Sequence, residues 1–393
     1  MTVLDAAREL APVLSERAAE GEEARTMPAD LVEQVRAAGL FHMAMPEALG
    51  GPPWDPATII EVVEELARAD GSAAWTTLIG NATCFAAWLE PSVALKVLST
   101  RPDGIAAGSF TPGGQAVPNG DGSFTVSGRW PFASGAPHAD WFVNGVLVMD
   151  GQGPSDPLSG ELVPRMLENG LPDWRFVWLP AADVEVLDTW RAAGLRGTGS
   201  HHVAAEGVRV PVEHTAAPLY ERARAEDAFF RMPFWSLLMV IMAGFPLGVA
   251  RRALDEFVGL TEGKSRRFDR RLMSEDEIIQ VEVARLDGAL GSARAYVFDA
   301  AGDLWDTLVS GNDLSMGQRV RITSAVHHAI RSGLQVVDTA FRLAGGGALY
   351  DTSPLQRCFR DLHAAAQHIA FSTEVERGLG RALLGLDPAT VLL

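Results

Sequence analysis

Cysteine and positive charge are both scarce in this sequence. Of 393 residues only two are cysteine, Cys84 and Cys358, far apart and in no metal-like spacing. They build neither a disulfide framework nor a thiolate centre, so no metal site and a reducing, cytoplasmic setting are expected. Basic residues are outnumbered by acids, giving a formal net charge of -17. A field of that sign repels nucleic acid and acidic membranes, so neither is an expected partner. A phosphate-bearing ligand must then be gripped by a local basic cluster. The opening MTVLDAARELAPVL carries acids early and lacks a basic n-region, so no signal peptide is expected. Repeats and low-complexity tracts are missing too. One long apolar run exists, residues 232–250, but Pro246 and two glycines interrupt it and arginines flank both sides. That pattern predicts a buried core helix rather than a membrane span.

What is present reads as a globular chain of two or three packed subdomains, with 47% apolar and 21% charged residues. Residues 1–105 are helical in pattern, with Leu4, Ala7, Leu10 and Leu14 and then Ile59, Ile60, Val62, Val63 and Leu66 at helical spacing. Residues 106–216 alternate instead. SFTVSGRW, ADWFVNGVLVMD, WRFVWLP, VEVLDTW and HHVAAEGVRVPVEHT predict short strands of an antiparallel barrel or sandwich. Residues 217–393 return to the helical period, with long segments near 226–262, 275–310, 314–344 and 355–385. Long amphipathic helices with short connections predict a four-helix bundle. The fold class is therefore α+β, mostly α, and long bundle helices of this kind favour a homo-oligomer.

Four constellations carry possible chemistry, each beside a plainer reading. In GRWPFASGAPHADW, Phe132 and Ser134 could set an aromatic wall and a hydroxyl against a flat ring, or could simply end a strand. GLRGTGS lies between strands, not at a strand-to-helix turn, so it is no nicotinamide fold; Arg196, Thr198 and Ser200 are possible ligand contacts there. The basic run KSRRFDRR reverses the local charge in an acidic chain, which suits phosphate or a solvated face. In AGGGALYDTSPLQRCFRDLHAAAQHIAFS, Gly345 and Gly346 permit close backbone approach, and His363 and His368 fall on the expected last helix.

Taken in order, AAGLFHMAMPEALGG, ADGSAAW, GRWPFASG, GLRGTGS with VRVP, and GGG with PLQRCFRD resemble the acyl-CoA dehydrogenase superfamily over essentially the whole chain. The details most resemble its two-component flavin-dependent monooxygenases of the p-hydroxyphenylacetate hydroxylase type. That resemblance implies an N-terminal helical domain, a middle β domain and a C-terminal bundle, assembled as a homotetramer. It implies reduced FAD or FMN from a separate NAD(P)H:flavin reductase, O2 activated at flavin C4a, and an aromatic or polyketide-like small molecule as substrate. Ser134 would sit near flavin N5, and His368 would handle the substrate proton as a general base. Thr111, Phe132, Arg266, Arg267, Phe268, Gly345 and Gly346 would also contact the flavin, the arginines at its phosphates. Trp75, Asn81 and His363 would border the substrate, with Asn81 standing where such relatives often have histidine.

A dehydrogenase acting on acyl thioesters needs a carboxylate to remove the α proton. The resemblance places that group near Gln367–Ile369 or Leu237, and neither stretch has an acid. A dehydrogenase-like enzyme with an unusual base, and a silent flavin-binding scaffold, are the alternatives.

Overall fold

The computed structural model describes residues 2–52, 55–99, 101–150, 162–265 and 271–393. Helices α1 (Val3–Glu16), α2 (Ala18–Ala24), α3 (Ala29–Ala37), α4 (Pro56–Ala69), α5 (Gly71–Gly80) and α6 (Pro91–Ser99) come first. Polar side chains cap the starts of three of them. Thr2 Oγ1 accepts from the Asp5 amide at 3.1 Å to open α1, and Asp55 and Asp70 likewise cap α4 and α5.

The strands follow: β1 (Ala106–Pro118), β2 (Ser123–Ala133), β3 (Trp141–Val148), β4 (Trp174–Pro180), β5 (Glu185–Leu187), β6 (His201–Pro211) and β7 (Thr215–Ala216). They form one sheet in the order β5-β6-β2-β1-β3-β4-β7. The sheet is mixed rather than wholly antiparallel, because β1 and β3 run parallel. Glycine in β1 makes room for a ring from β2. The indole of Trp130 lies across β1 and donates to the Gly145 carbonyl at 2.6 Å. A Cβ on Gly114 would come within 2.3 Å of that ring. The register of β2 against β6 slips between Trp130 and Ala133, and Phe132 inside that bulge takes φ +63°. The bulge turns the Phe132 ring outward, leaving it 63% exposed.

Helices α7 (Phe234–Met242), α8 (Gly244–Gly263), α9 (Glu277–Val309), α10 (Met316–Ala344), α11 (Pro354–Ala365) and α12 (Thr373–Leu383) complete the chain. The apolar run forms α7 and the first turns of α8, and 94% of its most apolar window is buried inside the protein. Gly244 and Gly248 let α8 press onto α4, since a Cβ on either would meet the Ile60 or Glu64 carbonyl at about 2 Å. The expected last helix is interrupted: α11 stops at Ala365, a tight turn covers Ile369–Phe371, and α12 starts afresh. His368 therefore sits at a break, not on a helix.

Candidate active site

A cavity of about 780 Å³ opens where α5, α7 and α11 meet β1, the end of β2 and the loop before β6. That is the size of a site for a small molecule or cofactor. Its floor is aromatic. Phe85 stacks on Phe176 at 5.3 Å, and Phe110 packs against both rings. Trp75, Phe132, Trp190, Phe359, Leu238 and Ile241 continue the apolar lining. Among the described residues no aspartate or glutamate lines the cavity.

The polar groups that do line it are few and ordered. Trp75 Nε1 donates to Ser134 Oγ at 3.1 Å, and Ser134 Oγ lies 2.7 Å from Ser200 Oγ. Ser200 Oγ is 2.6 Å from Thr198 Oγ1, which donates to the Leu195 carbonyl at 2.8 Å. The loop carrying these groups is pinned from behind, where the Leu195 amide donates to Asp361 Oδ1 at 2.6 Å. Gly194 is needed for that contact, because a Cβ there would stand 2.0 Å from the Arg360 carbonyl of α11. Asp361 and Asp70 are both buried, and burial raises the affinity of each for protons, with the charge of Asp70 adding to it at Asp361 and that of Glu22 at Asp70. Glu22 holds Arg357, Arg360 and Arg196 around the pair.

His368 opens onto the cavity from the break after α11. Its ring packs edge-on against Trp75 at 5.6 Å, and Nδ1 accepts the Ala370 amide hydrogen at 3.2 Å. Surrounding protein pushes its pKa down to about 4, so the ring is neutral near pH 7. With Nδ1 occupied as an acceptor, the single ring proton belongs on Nε2. His368 thus carries a donor at Nε2, where a general base would need a bare nitrogen.

Of the residues singled out from sequence, Trp75, Asn81, Thr111, Phe132, Ser134, His363 and His368 all line this one cavity. Asn81 contributes its flank alone. Its amide donates to the Leu40 and Thr77 carbonyls, each at 2.8 Å, and its oxygen accepts from the Ala44 amide, so its polarity ties α5 to the preceding loop. His363 Nε2 meets Asp338 at 2.8 Å. Gly345 and Gly346 are not on the cavity. They are exposed at the end of α10, where Lys264 Nζ donates to the Ala344 carbonyl. Arg266, Arg267 and Phe268 lie outside the described residues. The aromatic floor, Trp190 and the Asp70–Asp361 pair were not assigned to a site from sequence; Trp190 sits beside the GLRGTGS motif, while the floor residues and the two aspartates meet only across long stretches of chain.

A flavin fits this set of groups. Phe132 and Trp190 offer flat aromatic surface, their rings meeting edge-on at 6.4 Å, and the buried hydroxyl of Ser134 stands beside them on the lining. Comparison with known proteins agrees. The N-terminal domain of acyl-CoA dehydrogenases matches residues 2–90, and the C-terminal domain matches residues 240–373. The flavin-dependent monooxygenase oxygenase subunit HsaA of Rhodococcus jostii (strain RHA1) is 30% identical over 380 residues, 93% of each chain. Indole-3-acetate monooxygenase of Pseudomonas putida is 28% identical over 372 residues, 95% of this chain and 91% of its own. The structure of XiaF from Streptomyces sp. in complex with FADH2 and glycerol superposes with a TM-score of 0.88 at 25% identity, over 99% of this chain and 96% of that one. This chain belongs to the acyl-CoA dehydrogenase family and, within it, to the flavin-dependent monooxygenases that serve as oxygenase components.

Proposed function

We propose that this protein hydroxylates an aromatic small molecule in the cavity, using O2 and reduced FAD or FMN delivered by a separate NAD(P)H-dependent reductase. One oxygen atom enters the substrate, the other leaves as water, and the reduced flavin supplies the two electrons. The observation that carries this reading is the lining itself: aromatic rings around about 780 Å³, with no carboxylate among the described residues. Among the described lining residues a thioester α proton has no carboxylate to receive it. The aromatic relatives' names, indole-3-acetate monooxygenase among them, support an aromatic substrate.

When bound, the flavin supplies activated oxygen. The chain supplies the surroundings. Ser134 would accept a hydrogen bond at the flavin N5 edge, Phe132 and Trp190 would flank the ring, and the aromatic floor would keep water out. His368 would donate from Nε2 to oxygen on the substrate side, in place of the base role expected from sequence. Arg266 and Arg267 would hold the flavin phosphates, with Phe268 beside them. Leu349 and Tyr350, 69% and 70% exposed beside Gly345 and Gly346, suit burial against another copy in a homotetramer.

The test is rapid mixing of the purified protein, loaded with reduced FMN or FAD, with oxygenated buffer. An absorbing phase distinct from both reduced and oxidised flavin, outlasting the reoxidation of free flavin, is expected. Reoxidation as fast as free flavin, with no such phase, would sink the proposal.

A further inference from the structure

Three hydroxyls stand in single file between a group that can only donate and a group that can only accept. The donor is the Trp75 indole N–H and the acceptor is the Leu195 carbonyl. Each hydroxyl owns one proton, so the file has one consistent direction. Thr198 spends its proton on the Leu195 carbonyl, 2.8 Å away. Ser200 must then donate to Thr198 across 2.6 Å. Ser134 must in turn donate to Ser200 across 2.7 Å. The indole fills one lone pair of Ser134, which is left with another lone pair and no free proton.

The direction is locked from its far end. Leu195 is held at φ +51° with its amide on Asp361, and its carbonyl also accepts from Trp190 Nε1 at 3.0 Å. Trp75, Ser134, Thr198 and Ser200 are all buried, so the file has little access to exchanging water. Ser134 and Ser200 line the cavity, while Thr198 stands behind them.

Flavin N5 differs between redox states in the property this file controls. Reduced N5 carries hydrogen and needs an acceptor; oxidised N5 is a bare nitrogen and needs a donor. An acceptor-only Ser134 pairs with the first and faces the second lone pair to lone pair. We propose that Ser200 and Thr198 are positioning residues which fix Ser134 as an acceptor, and so make the site select reduced over oxidised flavin. This rests on the placement of Ser134 at the N5 edge given above.

The experiment measures anaerobic dissociation constants for reduced and oxidised FMN and FAD, with thermal melts to establish folding. The parent should favour reduced flavin. In Ser200→Ala the Ser134 proton is released toward the cavity, and the oxidised-to-reduced ratio of constants should shrink about tenfold, one buried hydrogen bond's worth. Thr198→Val should shrink it in the same direction from one residue further back, because Ser200 can then turn its proton onto Ser134. Ser200→Thr, which keeps the hydroxyl, should retain the parent ratio. The midpoint potential of bound flavin should fall in step, by about 30 mV for a tenfold change. A folded Thr198→Val protein with the parent ratio and potential overturns the proposal, whether or not Ser200→Ala folds. A parent that binds both redox forms equally overturns it while leaving the site reading intact. A parent that binds neither overturns both.

Discussion

The pH profile of substrate hydroxylation distinguishes a donating His368 from a basic one. In the free protein the ring's pKa lies at about 4, against an ordinary 6.5, because burial removes water from the charged form. That difference biases the ring toward neutrality by roughly 3 kcal/mol. The Ala370 amide adds to it, since a doubly protonated ring cannot accept at Nδ1. On the parent profile, kcat/KM reports the free protein, so it should carry no His368 limb between about pH 5 and 8. His368→Ala deletes a donor on the cavity lining and should lower kcat/KM by roughly 10- to 100-fold, the cost of about 1–3 kcal/mol for an unmet hydrogen bond. His368→Gln restores an N–H donor without a titrating ring and should recover much of that loss. The assay is product formation with a fixed supply of reduced flavin across pH. An acid limb centred near 6.5 that disappears in His368→Gln would refute the argument and make His368 the base.

Three further outcomes are expected. Gly194→Ala should lose about 1–3 kcal/mol in thermal or denaturant unfolding, since the new Cβ meets the Arg360 backbone at 2.0 Å; an unchanged melt would contradict the close approach. Phe132→Ala should leave stability within about 0.5 kcal/mol, because the ring is 63% exposed, yet weaken flavin binding about tenfold through the lost ring contact; equal affinity would remove Phe132 from the site. Asp70 and Asp361 have folded-state pKa values raised above the unfolded value of 3.8, chiefly by burial. The folded chain then holds protons that the unfolded chain has released, so this contribution to stability fades as pH rises from about 4 through the raised values. Asp70→Asn should shrink the stability lost between pH 5 and pH 8 by roughly 1–3 kcal/mol, and parallel denaturation midpoints for parent and variant would exclude the coupling.

Periodicity made the order of helix, sheet and bundle legible, because burying one face imposes a two-residue or a 3.6-residue repeat on the sequence. Strand β1 escaped that reading. Its GSFTPGGQAVP stretch looks like a loop, yet its glycines are what admit the Trp130 ring, a contact supplied from another strand. The run AAAQHIAFS has nothing that forbids a helix, yet the chain breaks there. His327 on α10 lies 2.9 Å from the Ala370 carbonyl, and His368 takes the Ala370 amide, so side chains replace the lost helical bonds.

The sequence by itself determined the family and the flavin chemistry, since these rest on short motifs in register along the chain. Tertiary structure decided which way each polar group points. Ser134, Ser200, Thr198 and Leu195 could be noted from their motifs, but their common direction is imposed by Trp75 and a carbonyl that folding places at opposite ends of the file. The tautomer of His368 likewise follows from one amide two residues on, available only because the helix stops. A hydroxyl or an imidazole can give or take a proton, and only its fixed neighbours choose.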